Sequence, residues 1–193
     1  SADGAVECNG TTSSPSILVG GASSGVNKGL YLNNHPVVNG STYCDSSLGL
    51  NFILPTTLPI PAGSAVSSAR LVLTHAGSES STPSGSTWGK TSNDELKLKI
   101  HVQDVNGTST LPASYSTGTG GGIKSRSYVS TVTATATIAE DTFMTDGAVQ
   151  EIDVTNLVRN RVPPASSSSP LKGLAFRLEG LSGAGSQTNS TVC

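Results

Sequence analysis

Hydrophobic positions along this chain recur every second residue. In Leu96, Leu98 and Ile100 set against Lys97, Lys99 and His101, one face of an extended segment is apolar and the other wet. The run around Val132 repeats the pattern, with Thr131, Thr133, Thr135 and Thr137 on one side and Val132, Ala134, Ala136 and Ile138 on the other. That inward face is small, so the layer opposite it has to supply bulk. From Leu48 to Ala76, LGLNFILPTTLPIPAGSAVSSARLVLTHA, two apolar strand-like runs flank a connector stiffened by Pro55, Pro59 and Pro61. Strands are accordingly predicted at 16–20, 29–33, 48–54, 66–75, 96–105, 128–139, 149–154 and 173–179.

One short helix is predicted at 155–161. Asp153 or Thr155 can cap its free amides, Leu157, Val158 and Val162 can face a core, and Pro163 with Pro164 stops it. Three long connections, 76–94, 106–125 and 163–172, are rich in Ser, Gly or Pro, and connections of that length in a compact domain are usually functional or contact surfaces. No internal repeat of solenoid period is present. The predicted fold class is all-β: a jelly-roll-like antiparallel β-sandwich with one short helix near 155–161. It forms a single domain over 1–193, with 1–15 as an N-terminal extension.

Composition narrows the function. Of 193 residues, 35% are hydrophobic and 12% charged, and about a quarter are Ser or Thr beside 22 Gly. A disordered Ser/Gly segment and an exported β protein with hydroxyl-rich loops share that profile, and the alternating strands favour the second. A net charge of -2 supplies no basic face for phosphates, which excludes nucleic acid as a main partner. No apolar run approaches the ~20 residues of a membrane-spanning helix, so no membrane span is expected. The opening SADGA is similar to the small-residue stretch that follows export processing, giving the expectation of a mature extracellular or cell-surface chain.

At this point the residues resemble a family. Phe52, Leu54 and Pro55, followed by Ile60, Pro61, Gly63, Ser64, Ala65, Val66, Ser68, Ala69, Leu71 and Leu73, look like the "F-x-L-P" and "I-P-x-G-A-x-I-x-S-A-x-L-x-L" core of the DNRLRE-type β-sandwich domain, related to carbohydrate-binding modules. Asn27, Gly29, Leu30 and Leu32 resemble its "N-x-G…L-x-V" start. Ile152 to Val158 resembles its "D-V-T-x-L-V" segment, and Gly173, Leu174, Phe176 and Leu178 its closing strand. Members often carry a "W-x-E…T-W" element where this chain has a Gly-rich stretch before Ile123 and then RSYVSTVTATATI, so a ligand site built on those tryptophans is not carried over. The resemblance implies a jelly-roll-like sandwich in exported surface proteins, used for adhesion, polysaccharide contact or assembly.

Candidate chemistry is sparse. His35, His75 and His101 accompany no nucleophile motif, and no P-loop, catalytic triad or paired-acid signature occurs, so neither an enzyme nor a cofactor is expected. Asp141 and Asp146 offer oxygens for a hard cation, although Asp146-Gly147 is also an ordinary turn signal. Trp88, Tyr115 and Tyr128 are the candidate sugar platform, with loop anchoring as the plainer reading of Trp88. Glycosylation sequons stand at Asn9, Asn39, Asn106 and Asn189, a number that chance alone approaches. Of three cysteines, Cys8 and Cys44 are the preferred disulfide. Cys193 is then left for an intermolecular bond, unless it bridges one of the others within the chain.

The expected function is a structural or assembly subunit of an extracellular homopolymer, a filament or surface coat. Self and glycans, covalent or bound, are its partners, and association runs through strand edges, with the Ser-Pro-Ser-Ile-Leu-Val segment Ser14 to Val19 as a candidate donor strand. The alternative is a non-catalytic carbohydrate-binding module of a larger secreted enzyme or adhesin.

Overall fold

A computed structural model describes residues 2–9, 16–19, 32–33, 37–39, 42–74, 96–104, 123–124, 126–138, 147–180 and 191–192; residues 2–9, 16–19, 32–33, 37–39, 42–46, 96 and 191–192 are described through their backbone pairing. In chain order the strands are β1 (Ala2–Asn9), β2 (Ser16–Val19), β3 (Leu32–Asn33), β4 (Val37–Asn39), β5 (Thr42–Ile53), β6 (Arg70–Thr74), β7 (Leu96–Val102), β8 (Ala134–Ile138) and β9 (Val149–Asp153). Helix α1 (Thr155–Arg161), β10 (Gly173–Gly180) and β11 (Thr191–Val192) follow. The class is all-β, with one short helix among the described residues.

The main sheet runs β2-β1-β5-β10-β7-β8, antiparallel throughout, with β4 also paired to β5. Two smaller ladders join β6 with β9 and β3 with β11. Alternation along β7 and β10 sends Leu98, Ile100 and Val102, and Leu174, Phe176 and Leu178, to one face. There they share a core with Leu71 of β6, Ile152 of β9, and Val154, Leu157 and Val158 at the helix. Phe52 and Phe176 meet edge to face with centroids 5.9 Å apart. The layer facing the main sheet therefore consists, among the described residues, of one two-stranded ladder and a helix. It is narrower than the paired sheets of a jelly roll.

The helix is where the sequence places it, and Asp153 serves its first free amide as expected, although from one residue before the N-cap position. Val154 occupies the N-cap position with no side-chain bond to the helix, while the Asp153 carboxylate accepts from the Thr155 amide at 2.8 Å. Val162 then turns extended ahead of Pro163, as a residue before proline prefers. The Pro-rich connector docks on the chain that follows the helix. Leu54 donates to the Lys172 carbonyl (2.9 Å), Ile60 and Leu171 exchange bonds (3.1 and 2.8 Å), and Gly63 donates to Pro163 (2.8 Å). Gly63 has φ +74°, and a Cβ there would lie 2.7 Å from Cβ of Ala165, so both backbone and space demand glycine.

Several elements differ from the prediction: β4 and β11 were not expected, and β5 begins at Thr42 rather than at 48. Residues 2–9, read as part of an extension, form β1 inside the main sheet between β2 and β5. The strand expected over 66–75 begins only at Arg70, because other partners already satisfy the backbone before it. Arg159 donates to the carbonyls of Val66 (2.7 Å) and Ser67 (3.1 Å), and the Ala69 amide donates to Thr155 Oγ1 (2.9 Å). The strand expected over 128–139 is regular only from Ala134. Before it, Tyr128 makes an isolated bridge with Gln103 and its phenol donates to the Ile123 carbonyl.

Candidate functional site

Among the described residues the main sheet ends in β2 on one side and β8 on the other. Among the described residues β8 pairs only with β7, in the register Leu98↔Ala136 and Ile100↔Ala134. Its sequence, Ala-Thr-Ala-Thr-Ile, holds no charge and no proline, and the whole run Ser130 to Ile138 is likewise neutral. Leu98 and Ile100 are fully buried, whereas Ala134 and Ala136 on the same face are half-buried and Thr135 and Thr137 on the other are exposed. The opposite edge, β2, reads Ser-Ile-Leu-Val and is also uncharged. Exposed edges normally carry lysine, proline or a bulge that discourages a further strand, and neither of these two strands has a charge or a proline.

Charge is concentrated instead on the second face of β7 and β10. His101 Nε2 lies 2.8 Å from Glu179 Oε1, and Arg177 Nη2 donates to the other Glu179 oxygen. Arg177 Nε donates to Ser47 Oγ at 3.3 Å, and the guanidinium carbon sits 5.7 Å from the Tyr128 ring centroid. The His101 ring is tilted against the same tyrosine at 6.0 Å. The side chains of His101, Arg177 and Glu179 are only 15, 19 and 24% exposed. One carboxylate thus answers an imidazole and a guanidinium, and the adjacent hydroxyl belongs to the fully buried Ser47. This network ties β5, β7 and β10 in register and offers no accessible nucleophile.

A polar groove of about 530 Å³ lies beside the β6–β9 ladder, lined by Ser67, Arg70, Glu151, Asp153, Asn156 and Arg159 among others. Its charges already serve one another. Arg70 pairs with Glu151, and Arg159 serves the backbone of Val66 and Ser67. The Thr155 hydroxyl and amide, with Arg70 and Arg159 nearby, hold the Asp153 carboxyl below the usual carboxylate range. Elsewhere Arg161 pairs with Asp104 at 3.2 Å, joining the helix end to the residues after β7.

Of the residues singled out by sequence, the backbone register places several. Cys8 in β1 stands opposite Ser46 of β5, while Cys44 stands opposite Val37 of β4, so a Cys8–Cys44 bridge would span a diagonal of the ladder. Asn9 closes β1 opposite Asp45 and Asn39 closes β4 opposite Thr42, which gathers both sequons at one end of β5. Tyr128 is engaged by Arg177, His101 and Ile123 as described above. Trp88, Tyr115, Asn106, Asn189, Asp141, Asp146, Cys193, His35 and His75 lie outside the described residues. The His101, Arg177 and Glu179 network was missed, although the outward positions of GLAFRLE and LKLKIHV mark its members once the two strands are known to be neighbours.

No protein family, curated protein or solved structure matches the chain. Among the described residues no helix is long and apolar enough to cross a membrane, and no three His, Cys, Asp or Glu side chains converge as a metal would require.

Proposed function

We propose that the protein is a non-catalytic structural subunit of an extracellular homopolymer, a filament or coat, whose copies associate through the edges of the main sheet. The observation that carries this reading is the pair of neutral, proline-free strands at the two ends of the six-strand path among the described residues. Unpaired N–H and C=O groups along such strands accept another strand with little to repel it. The hydroxyl-rich composition supports the extracellular setting, as does the similarity of residues 48–73 to the DNRLRE-type sandwich. Within this reading Asn9 and Asn39 are glycan acceptors at one rim of the sheet, Cys8 and Cys44 brace the N-terminal strands, and Cys193 is free to link neighbouring copies.

The test is to image the purified full-length chain by negative-stain electron microscopy and follow its sedimentation with increasing concentration. Filaments or lattices, or a size that grows with concentration, are expected. Single globules at every concentration overturn the proposal, and globules that also bind polysaccharide would transfer the weight to a carbohydrate-binding module.

A further inference from the structure

The groove beside the β6–β9 ladder balances its charges, keeps polar capacity in reserve and adjoins an exposed apolar pair. We propose that it binds the hydroxyl groups of a neutral saccharide. The proposal rests on the extracellular reading above and names a partner for a surface that strand-edge association leaves unused.

Charge decides the class of ligand. Arg70 and Arg159 line the groove together with Glu151 and Asp153, so the four charges cancel. A free anion meets two carboxylates there, and a metal ion meets two guanidinium groups. A neutral ligand meets neither penalty, provided that it can both donate and accept hydrogen bonds.

The remaining polar capacity asks for both. Asp153 takes the Thr155 amide on Oδ1 and Glu151 takes Arg70 on Oε2, whereas a carboxylate offers about four acceptor positions. Asn156 accepts from Arg159 through Oδ1 at 3.5 Å. Among the described residues its amide nitrogen and the hydroxyls of Ser67 and Ser68 make no hydrogen bond. Acceptors on β9 thus share the groove with donors on the helix and on the chain before β6. Adjacent hydroxyl groups, each donor and acceptor at once, suit such a mixture. Arg159 is already fixed by the carbonyls of Val66 (2.7 Å) and Ser67 (3.1 Å), and Thr155 Oγ1 is tied to the Ala69 amide (2.9 Å), so binding has little of the wall to order.

The apolar pair is the second observation. Val72 and Val149 are 55 and 56% exposed, while Leu71 and Ile152 of the same two strands are buried. Alternation sets both valines on the ladder face that carries Arg70, Glu151 and Asp153, and Val72 stands directly opposite Glu151. A sugar ring is amphipathic, with hydroxyl groups at its rim and C–H groups between them. One held through its hydroxyls in the groove can cover the valines with its C–H groups. Two sources carry this chemistry: a free polysaccharide around the assembly, and a glycan on Asn9 or Asn39 of a neighbouring copy.

The experiment titrates the full-length chain by calorimetry with neutral oligosaccharides of glucose, mannose, galactose and N-acetylglucosamine, and with sodium sulfate and calcium chloride as charged probes. At least one neutral oligosaccharide should bind, with an affinity that added salt leaves unchanged. Asn156→Ala and Asp153→Asn should each weaken it about tenfold, the scale of one lost hydrogen bond. Val72→Ser should weaken it too, and Thr135→Ser on β8 should bind as wild type does. Thermal melting checks that each variant is folded. Failure of every neutral oligosaccharide to bind, binding that survives both groove substitutions, or binding of the charged probes alone overturns the inference. The Asn9→Gln, Asn39→Gln double variant separates the sources: smaller assemblies assign the ligand to neighbouring copies, and assemblies of unchanged size assign it to free polysaccharide. Assemblies that form and bind no sugar overturn this inference alone, whereas a chain that binds sugar and never assembles overturns only the function proposed above.

Discussion

Strands β10 and β8 belong to one sheet and are separated only by β7, yet they are built on opposite principles. In β10 the core face carries Leu174, Phe176 and Leu178, and the other face carries Arg177 and Glu179, both engaged with neighbours. The strand is paired on both sides. In β8 one face is Ala, Ala and Ile, the other is Thr, and pairing among the described residues is one-sided. Natural sheets usually place charge at the rim, where it repels further strands. Here the charged network sits in the middle and the rim is neutral. The charges fix which strands neighbour one another inside the sheet and are withheld where a strand from elsewhere would have to dock.

The largest effect expected from this contrast is on stability. Leu178→Ala removes a fully buried side chain at the centre of the shared core and should cost about 2–5 kcal/mol. Ala136→Gly at the rim should cost only about 0.5–1 kcal/mol, mostly from backbone freedom. Urea denaturation of the two variants checks the difference. Equal losses would mean that β8 is buried as deeply as β10, and the distinction between centre and rim would fall.

A comparable effect, in two separable parts, is expected where the connector meets the chain beyond the helix. Gly63→Ala forces a Cβ into a left-handed backbone, at about 1–2 kcal/mol, and presses it onto Ala165, where overpacking adds about 1–3 kcal/mol. Ala165→Gly in the same chain should recover the second part and leave the first. A double variant no more stable than the single one would place the close approach elsewhere.

The ladder of β7, the helix and the closing strand were legible because each carries its own signal: period-two alternation in LKLKIHV, a proline stop after Val162, a continuous apolar run in GLAF. Strand β1 was not legible. Ala2 to Asn9 contains Asp3, Gly4 and Glu7, has little intrinsic strand preference, and becomes a strand only by pairing with β5 some forty residues later. The same distance hid the charged network, since His101 and Glu179 are 78 residues apart. Segment 66–69 misled for a different reason. Its alternating residues suit a strand, but the donors and acceptors that take up its backbone come from Thr155 and Arg159, and no local pattern announces them. Of the edges proposed for assembly, the neutrality of β8 and β2 can be read directly, whereas their place at the ends of the sheet path requires the topology.

The smallest effect concerns the exposed edge of the facing layer. Asp153 opposes Arg70 across the β6–β9 ladder, and its carboxylate accepts from Thr155. Those contacts lower its pKa in the folded protein, so the unfolded chain takes up a proton first as pH falls. The stabilisation is therefore complete above the ordinary aspartate value of about 3.9 and fades as pH drops through the lower folded value. Wild type and Asp153→Asn melted side by side from about pH 6 downward should differ most at the upper end and converge in acid. The group is fully exposed, so the gap should be small, well below that of the buried substitutions, and a gap that stays constant with pH would show that the carboxylate charge is not what holds this corner. A rim neutral on the main sheet and charged on the facing layer would then act on two separate properties: salt and acid should change how firmly the helix corner sits, while the edge association proposed for β2 and β8, having no charge to screen, should respond to neither.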